Sequence, residues 1–430
     1  MVFGKKIEIL FAVLFIFCAA LWADEKRYVN CKKLDLRATN TNFAKKTGTV
    51  NYGDELTVIS ENNNWFELKS ENGIKGWAQG NNLSKRKISS SNFSIRRDEL
   101  ALGGKGFGEE LEEAYKSKAI SANYYQINAT EKLKIADVEL EKFMIEGKLK
   151  FISDENKSEW KNLITSISNA FSSAASILPE SYFGETFTVE QKYYMGRAVC
   201  ANILAKYKIR NSSKAQKYLG EICQALVLNS EQPELFNGWS IFILDSDEVN
   251  AFATSGGHIM LTRGLLKSAS SEDELAAVIA HEISHVILGH SIKSIETNKK
   301  VSGLVNVWNS AVDAGEKYFS ENVNKAFEGF SNTVEDFAFN FIEKGYSQKQ
   351  EFEADSKALE IMSVAGYNPK AMKTMLENLE ANETKSKEMK NHPSAESRLS
   401  NVELRLKFLK SESGGEAQRD KRFLTVNKSF

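Results

Sequence analysis

Residues 271–285 read SEDELAAVIAHEISH, and the two histidines that end this stretch carry chemical meaning only if the backbone there is helical. The flanks say that it is. Ser271 followed by Glu272, Asp273 and Glu274 reads as an N-cap with a capping box and an acidic first turn, matched to the helix dipole and its orphan amides. Leu275, Val278, Ile279, Ile283, Val286 and Ile287 recur at helical spacing, which predicts a buried amphipathic helix over 272–290. At about 3.6 residues per turn, His281 and His285 lie one above the other and can both reach a single metal ion. Glu282 sits about 100° round from His281, off the ligand face but within reach of a metal-held water, as a general base must be. With five histidines in 430 residues, such a pattern arises by chance on the order of 0.01 times.

Catalytic zinc takes three protein ligands and keeps a fourth position open for water. Phe352, Ala358, Leu359 and Met362 predict a second helix from Gln348 to Met362, with Glu351 and Asp355 at i and i+4 on one face. Glu353 lies about 200° from Glu351 and points elsewhere. Glu351 is therefore assigned as the third ligand beside His281 and His285, and Asp355 as the carboxylate that orients a ligating histidine through its other ring nitrogen. One zinc ion per chain on this triad acidifies its water and polarises a scissile carbonyl, while Glu282 takes the proton and passes it to the leaving amine. Peptide hydrolysis is the expected reaction, and nothing suggests a Ser or Cys nucleophile.

Between Asn250 and Thr262, Val249, Phe252 and the Ile259, Leu261 alternation are broken by Ser255-Gly256-Gly257, which reads as two short strands or one bent strand. From about Thr188 to Leu406 the chain resembles the soluble, envelope-facing branch of the CAAX prenyl protease and HtpX-like zinc metallopeptidases. Four pieces match in order: Asn250-Ala251-Phe252-Ala253 with Gly256-Gly257-His258-Ile259 and Thr262-Arg263-Gly264-Leu265-Leu266; then His281 to His285; then Glu351-x-x-Ala354-Asp355; then His392-Pro393 with Arg398. The resemblance implies the same His281, His285, Glu351 triad and a zincin-like domain. It makes Asn250, Ala251, Phe252, Gly256, Gly257 and His258 candidate substrate-binding residues, on an edge strand to which an extended substrate adds by main-chain hydrogen bonds. The bland alternative is an ordinary sheet strand with a turn, with His258 at the surface or lining the substrate rather than on the metal. The resemblance also brings His392 to the cleft, as an oxyanion donor or as an inhibitory occupant of the open metal position, with Arg398 as a nearby positive group; both are catalytic candidates. His290 is expected only to decorate the helix C-terminus. Misfolded or misassembled envelope proteins are the substrates the family implies.

At the N-terminus, Lys5 and Lys6 precede an apolar run from Ile9 to Ala23 and then Asp24-Glu25-Lys26-Arg27, which reads as a signal peptide over 1–23. The expected location is exported, in the periplasm or cell envelope, with Cys18 raising a lipid-anchored alternative. Residues 25–86 show short alternating runs with turn signals: Leu34-Asp35-Leu36-Arg37, Gly48 to Ile59, Trp65-Phe66-Glu67-Leu68 and Asn72-Gly73-Ile74-Lys75-Gly76-Trp77. They resemble a bacterial SH3 domain, which implies docking to a cell-wall or peptide ligand, against a plain spacer or inhibitory cap. Residues 87–98 read as a linker, 99–178 as a helical segment with no recognised chemistry, 179–410 as the metallopeptidase domain, and 411–430 as a disordered polar tail. Residues 295–347 look helical and are the candidate lid.

Cys200 and Cys223 fall on two expected helices, about 190–207 and 214–228, nearly equidistant from their connecting loop, so a disulfide and two buried free thiols are both open. A length of 430 residues with 42% hydrophobic composition allows two to three domains, and a net charge of −1 gives no basis for nucleic-acid binding. The expected fold class is α+β, mainly helical, with a zincin-like domain behind a small SH3-like β-barrel. Two other functional classes stay open: a self-inhibited or chaperone-like envelope protein, and a cell-wall-binding protein whose SH3-like part is the active one.

Overall fold

A computed structural model describes residues 25–88, 109–118, 122–150, 187–296, 345–383, 395–407, 409 and 414–430, with positions 334, 335, 338, 339 and 342. The expected signal peptide, most of the linker, most of the candidate lid, and His392 lie outside the described residues. The described residues form two compact units, a β-rich one over 25–88 and a mainly helical one from 109 onward.

The first unit is a seven-stranded antiparallel sheet: β1 (Lys26–Val29), β2 (Lys33–Arg37), β3 (Lys46–Asn51), β4 (Glu55–Asn62), β5 (Trp65–Ser70), β6 (Lys75–Gln79) and β7 (Leu83–Ser84), in the order β3-β2-β6-β5-β4-β1-β7. Alternation along the strands sends Leu34, Leu36, Val50, Leu56, Val58 and Leu68 into one core, closed by Val29 and Phe66. The β4–β5 turn puts both Asn63 and Asn64 at positive φ, a conformation that asparagine tolerates and a tight hairpin requires.

In the second unit, β8 (Ser240–Leu244), β9 (Ala251–Ala253) and β10 (His258–Thr262) form a three-stranded sheet with β10 central, parallel to β8 and antiparallel to β9. The Asn250 to Thr262 stretch is thus two strands joined by a turn, in which Gly257 has φ +78°. This turn presses on helix α4 (Val189–Lys206): a Cβ on Gly196 would meet the Gly256 amide nitrogen at 2.2 Å.

The other helices described in this unit are α1 (Glu109–Lys118), α2 (Tyr124–Glu131), α3 (Asp137–Glu146), α5 (Ser213–Val227), α6 (Arg263–Ser268), α7 (Glu272–Ile287), α8 (His290–Glu296), α9 (Gln348–Ala365), α10 (Ala371–Glu383), α11 (Ala395–Leu406) and α12 (Glu416–Val426). Ser271 caps α7 as expected, accepting from the Glu274 amide at 3.2 Å, although the Glu274 carboxylate reaches back to the Ser270 amide rather than to that of Ser271. Helix α7 is buried almost throughout and packs against α9, α10, α5 and β9. None of the described helices is long and apolar enough to cross a membrane.

The described helices of the segment 99–178 join the same compact unit as the residues that follow. Arg197 of α4 donates through Nε to Glu112 of α1 at 2.5 Å and through Nη2 to Asn128 of α2 at 2.7 Å, and it also pairs with Glu131. The tail is not disordered: residues 416–426 are helical, and Arg419 is fully buried. Its guanidinium grips Asp273 in a fork, Nε to Oδ1 at 2.6 Å and Nη2 to Oδ2 at 2.8 Å, while Arg422 pairs with Glu272. The acidic first turn of α7 therefore faces two arginines rather than solvent, which polarity alone could not reveal. Cys200 and Cys223 are buried free thiols.

Candidate metal centre

Helix α7 supplies His281, Glu282 and His285, and α9 lies against it with Glu351 at the point where the two histidines converge and Asp355 on the outer nitrogen of His281. Ser347 starts α9 with a full capping box to Gln350, and Gly366 ends it in the left-handed conformation, so the register of the two carboxylates is held at both ends. His281 Nε2 lies 3.0 Å from His285 Nε2 and 3.3 Å from Glu351 Oε2, and His285 Nε2 lies 3.7 Å from Glu351 Oε1. Zinc bonds of about 2.0–2.1 Å set tetrahedral ligand atoms roughly 3.3 Å apart, so the spacing suits one small cation. The electrostatics agree. Burial and Arg398 pull the His281 pKa down, yet Asp355 and Glu351 outweigh them and push it up to about 9, the mark of a pocket that favours positive charge.

Asp355 accepts from His281 Nδ1 at 2.9 Å, which leaves Nε2 for the metal, as its i+4 spacing from Glu351 implied. Burial works against the Asp355 carboxylate, but Arg398 and His281 hold its pKa below the ordinary range. Arg398, on α11, donates Nε to Asp355 Oδ2 at 3.0 Å and Nη2 to Oδ1 at 2.6 Å, and its Nη1 lies 3.4 Å from Glu351 Oε2. It is therefore at the site, but as a buried group that positions the carboxylates rather than one open to substrate. Glu282 is buried on the same helix, one residue along from His281.

The glycine turn and His258 fall elsewhere. His258 starts a central strand that is buried on both faces, so its ring must find partners inside. It lies 3.1 Å from Thr254 Oγ1 and 2.8 Å from Glu131 Oε1, stacked on Tyr193, and is neither at the surface nor lining a cleft. Gly256 serves the close approach to α4, whereas Gly257 supplies the positive φ of the turn and lies against Leu235 and Gly238. Of the expected substrate strand, Ala251 and Phe252 remain in place beside α7, on β9 at the edge of the sheet, with Asn250 just before it.

Sequence reasoning missed two groups here. His290 is fully buried, its Nδ1 2.9 Å from His285 Nδ1 and its Nε2 3.2 Å from Glu353 Oε2. Tyr346 stacks on the His285 ring, centroids 4.1 Å apart and planes 12° apart. For His290 a signal existed: Gly289, at φ +65°, ends α7 so that the chain can restart at His290. Nothing in the local sequence marked Tyr346.

Two imidazoles and a carboxylate on facing helices, with a second carboxylate beside the ligand pair, define a buried metal centre of the His-Glu-x-x-His class. Residues 213–406 match peptidase family M48, and residues 32–84 match the bacterial SH3 domain. The chain thus carries a peptidase family M48 domain behind a bacterial SH3 domain. It is 26% identical over 218 residues to the beta-barrel assembly-enhancing protease of Escherichia coli (strain K12), covering 50% of this chain and 43% of that protein. It is 28% identical over 191 residues to the mitochondrial metalloendopeptidase OMA1 of Schizosaccharomyces pombe, covering 43% and 51% respectively. Similarity to the metalloprotease LoiP of E. coli is 29% over 161 residues, 37% of this chain and 59% of that protein. The chain therefore spans only about half the length of the curated relatives it matches.

Proposed function

We propose that this protein is a zinc-dependent endopeptidase that hydrolyses peptide bonds of exported or envelope proteins in protein quality control. The observation that carries the reading is the convergence of His281, His285 and Glu351 on one point with Glu282 one residue along the same helix. Bound there, zinc supplies a Lewis acid and an acidified water. Glu282 takes the proton and delivers it to the leaving amine, and a neutral imidazole with a metal-facing Nε2 is what Asp355 secures at His281. The Asn250 to Ala253 edge beside α7 suits an extended, unfolded stretch of substrate, held through its main chain with little sequence preference. His392, next to the described start of α11, is proposed to act on the oxyanion. The similarity to a protease named for β-barrel assembly supports an envelope location and misassembled envelope proteins as substrates. The SH3 unit would then dock the enzyme on a cell-wall or peptide ligand.

The test is casein cleavage by the purified chain beside Glu282→Gln, with metal counted in both. Cleavage by the wild type, about one zinc in each, and a loss of 10²–10⁴-fold (order of magnitude) in kcat for the variant are expected. Zinc in both with cleavage in neither would redirect attention to a self-inhibited or chaperone-like role, and absence of zinc would sink the reading.

A further inference from the structure

His281 and His285 are not held alike. The outer nitrogen of His281 meets a carboxylate, Asp355, whereas the outer nitrogen of His285 meets another imidazole, that of His290, 2.9 Å away. In a continuous helix a residue five positions on lies about 140° round the axis and could not reach its predecessor ring to ring. The break at Gly289 makes the contact: its left-handed φ of +65° ends α7, and α8 begins at His290 with the ring turned back under His285. His290 is then fixed from outside. Glu353 Oε2 lies 3.2 Å from its Nε2, Gln350 Nε2 donates to its carbonyl oxygen at 3.4 Å, and Ser294 Oγ donates to the same oxygen at 2.9 Å.

We infer that His290 and Glu353 are a positioning pair that sets the tautomer and orientation of His285 as a metal ligand. The hydrogen-bond directions admit one consistent assignment. A metal on His285 Nε2 requires the proton on Nδ1, which donates to His290 Nδ1; His290 must then carry its own proton on Nε2, and that proton is donated to the Glu353 carboxylate. The relay runs from Glu353 through a neutral imidazole to the ligand, with Tyr346 stacked on the His285 ring to hold its plane. Glu353, which helical geometry correctly sends away from the metal, thus acts on it at one remove. The inference rests on the His281, His285, Glu351 metal centre and goes beyond it in naming what holds the second histidine.

The experiment compares zinc affinity by chelator competition, on the full chain, for wild type, His290→Leu, His290→Asn and Glu353→Ala, with the visible spectrum of the cobalt(II)-substituted proteins as a second readout. Leucine keeps bulk but cannot accept the His285 proton, and a loss of about 10–100-fold in affinity with an altered cobalt spectrum is expected. Asparagine offers an oxygen near the position of Nδ1 and should recover most of that loss, while Glu353→Ala should weaken binding by a smaller factor. If asparagine binds zinc as poorly as leucine, the residue serves packing and the pair is overturned, as it is if Glu353→Ala and His290→Asn both match the wild type while leucine fails to fold. Tight zinc in the wild type with unchanged affinity in every variant refutes the pair but leaves the metal centre standing. A wild type without zinc overturns both.

Discussion

Arg398 illustrates how much a single buried side chain can decide. It faces two carboxylates, Asp355 and Glu351, and all three groups are almost wholly enclosed. Arg398→Leu leaves those charges without their partner, and a loss of about 3–5 kcal/mol is expected for breaking such an arrangement; thermal unfolding of the metal-free variant checks it. Glu131 plays a comparable part at the junction of α2, α4 and β10, where Arg197, Tyr193 and His258 face it. Burial pushes its pKa up, but His258 and Arg197 outweigh that and hold it down at about 2, against an ordinary 4.5. A depressed folded pKa gives stability that is whole above about pH 4.5 and lost as the pH falls toward about 2, on the order of 3 kcal/mol. Urea unfolding between pH 5 and 2 should therefore fall less steeply for Glu131→Gln than for the wild type. An identical slope would show that Glu131 is not its source.

Among the elements, the C-terminal helix α12 carries the least expected role. Arg419 and Arg422 clasp Asp273 and Glu272 at the start of α7, and Arg422 also lies over the Phe143 ring at 3.5 Å and donates to the Phe143 carbonyl at 2.6 Å, tying in α3. The helix that carries the metal ligands is thus anchored at its N-terminus by the far end of the chain. Arg419→Leu would strand a buried aspartate, with a cost of about 3–5 kcal/mol. Lowered thermal stability together with weaker metal retention is expected, and unchanged values for both would reduce α12 to a passive appendage. The tail resisted reading because its sequence is polar and carries paired glycines, while its partners lie 146 and 150 residues away.

At the scale of the whole molecule, the β-rich unit has its own core among the described residues, running from Val29 to Ala78 with Ile74 and Leu83 packed against it. Residues 25–88 expressed alone should give a cooperative transition and dispersed amide signals; a chain that stays unfolded would show that the unit leans on the rest. The expected fold class is met in both units, as seven strands followed by a mainly helical domain with one small sheet. Within the described part of 99–178, Glu112, Asn128 and Glu131 are drawn to Arg197 across 66 to 85 residues, a juxtaposition that no local period encodes.

What the sequence by itself determined is whatever a local period or a cap encodes. The spacing of His281, Glu282 and His285, the i+4 pair Glu351 and Asp355, the capped start of α7 and the alternating strands of the first unit all follow from rules that act within one or two turns. Only the tertiary structure decided which charge meets which. The bond between His285 and His290, the commitment of Arg398 to Asp355, the interior place of His258 and the clasp of α12 each depend on elements that are brought together by burial of apolar faces. That burial is non-directional and leaves no residue-by-residue trace of its polar consequences in the local sequence.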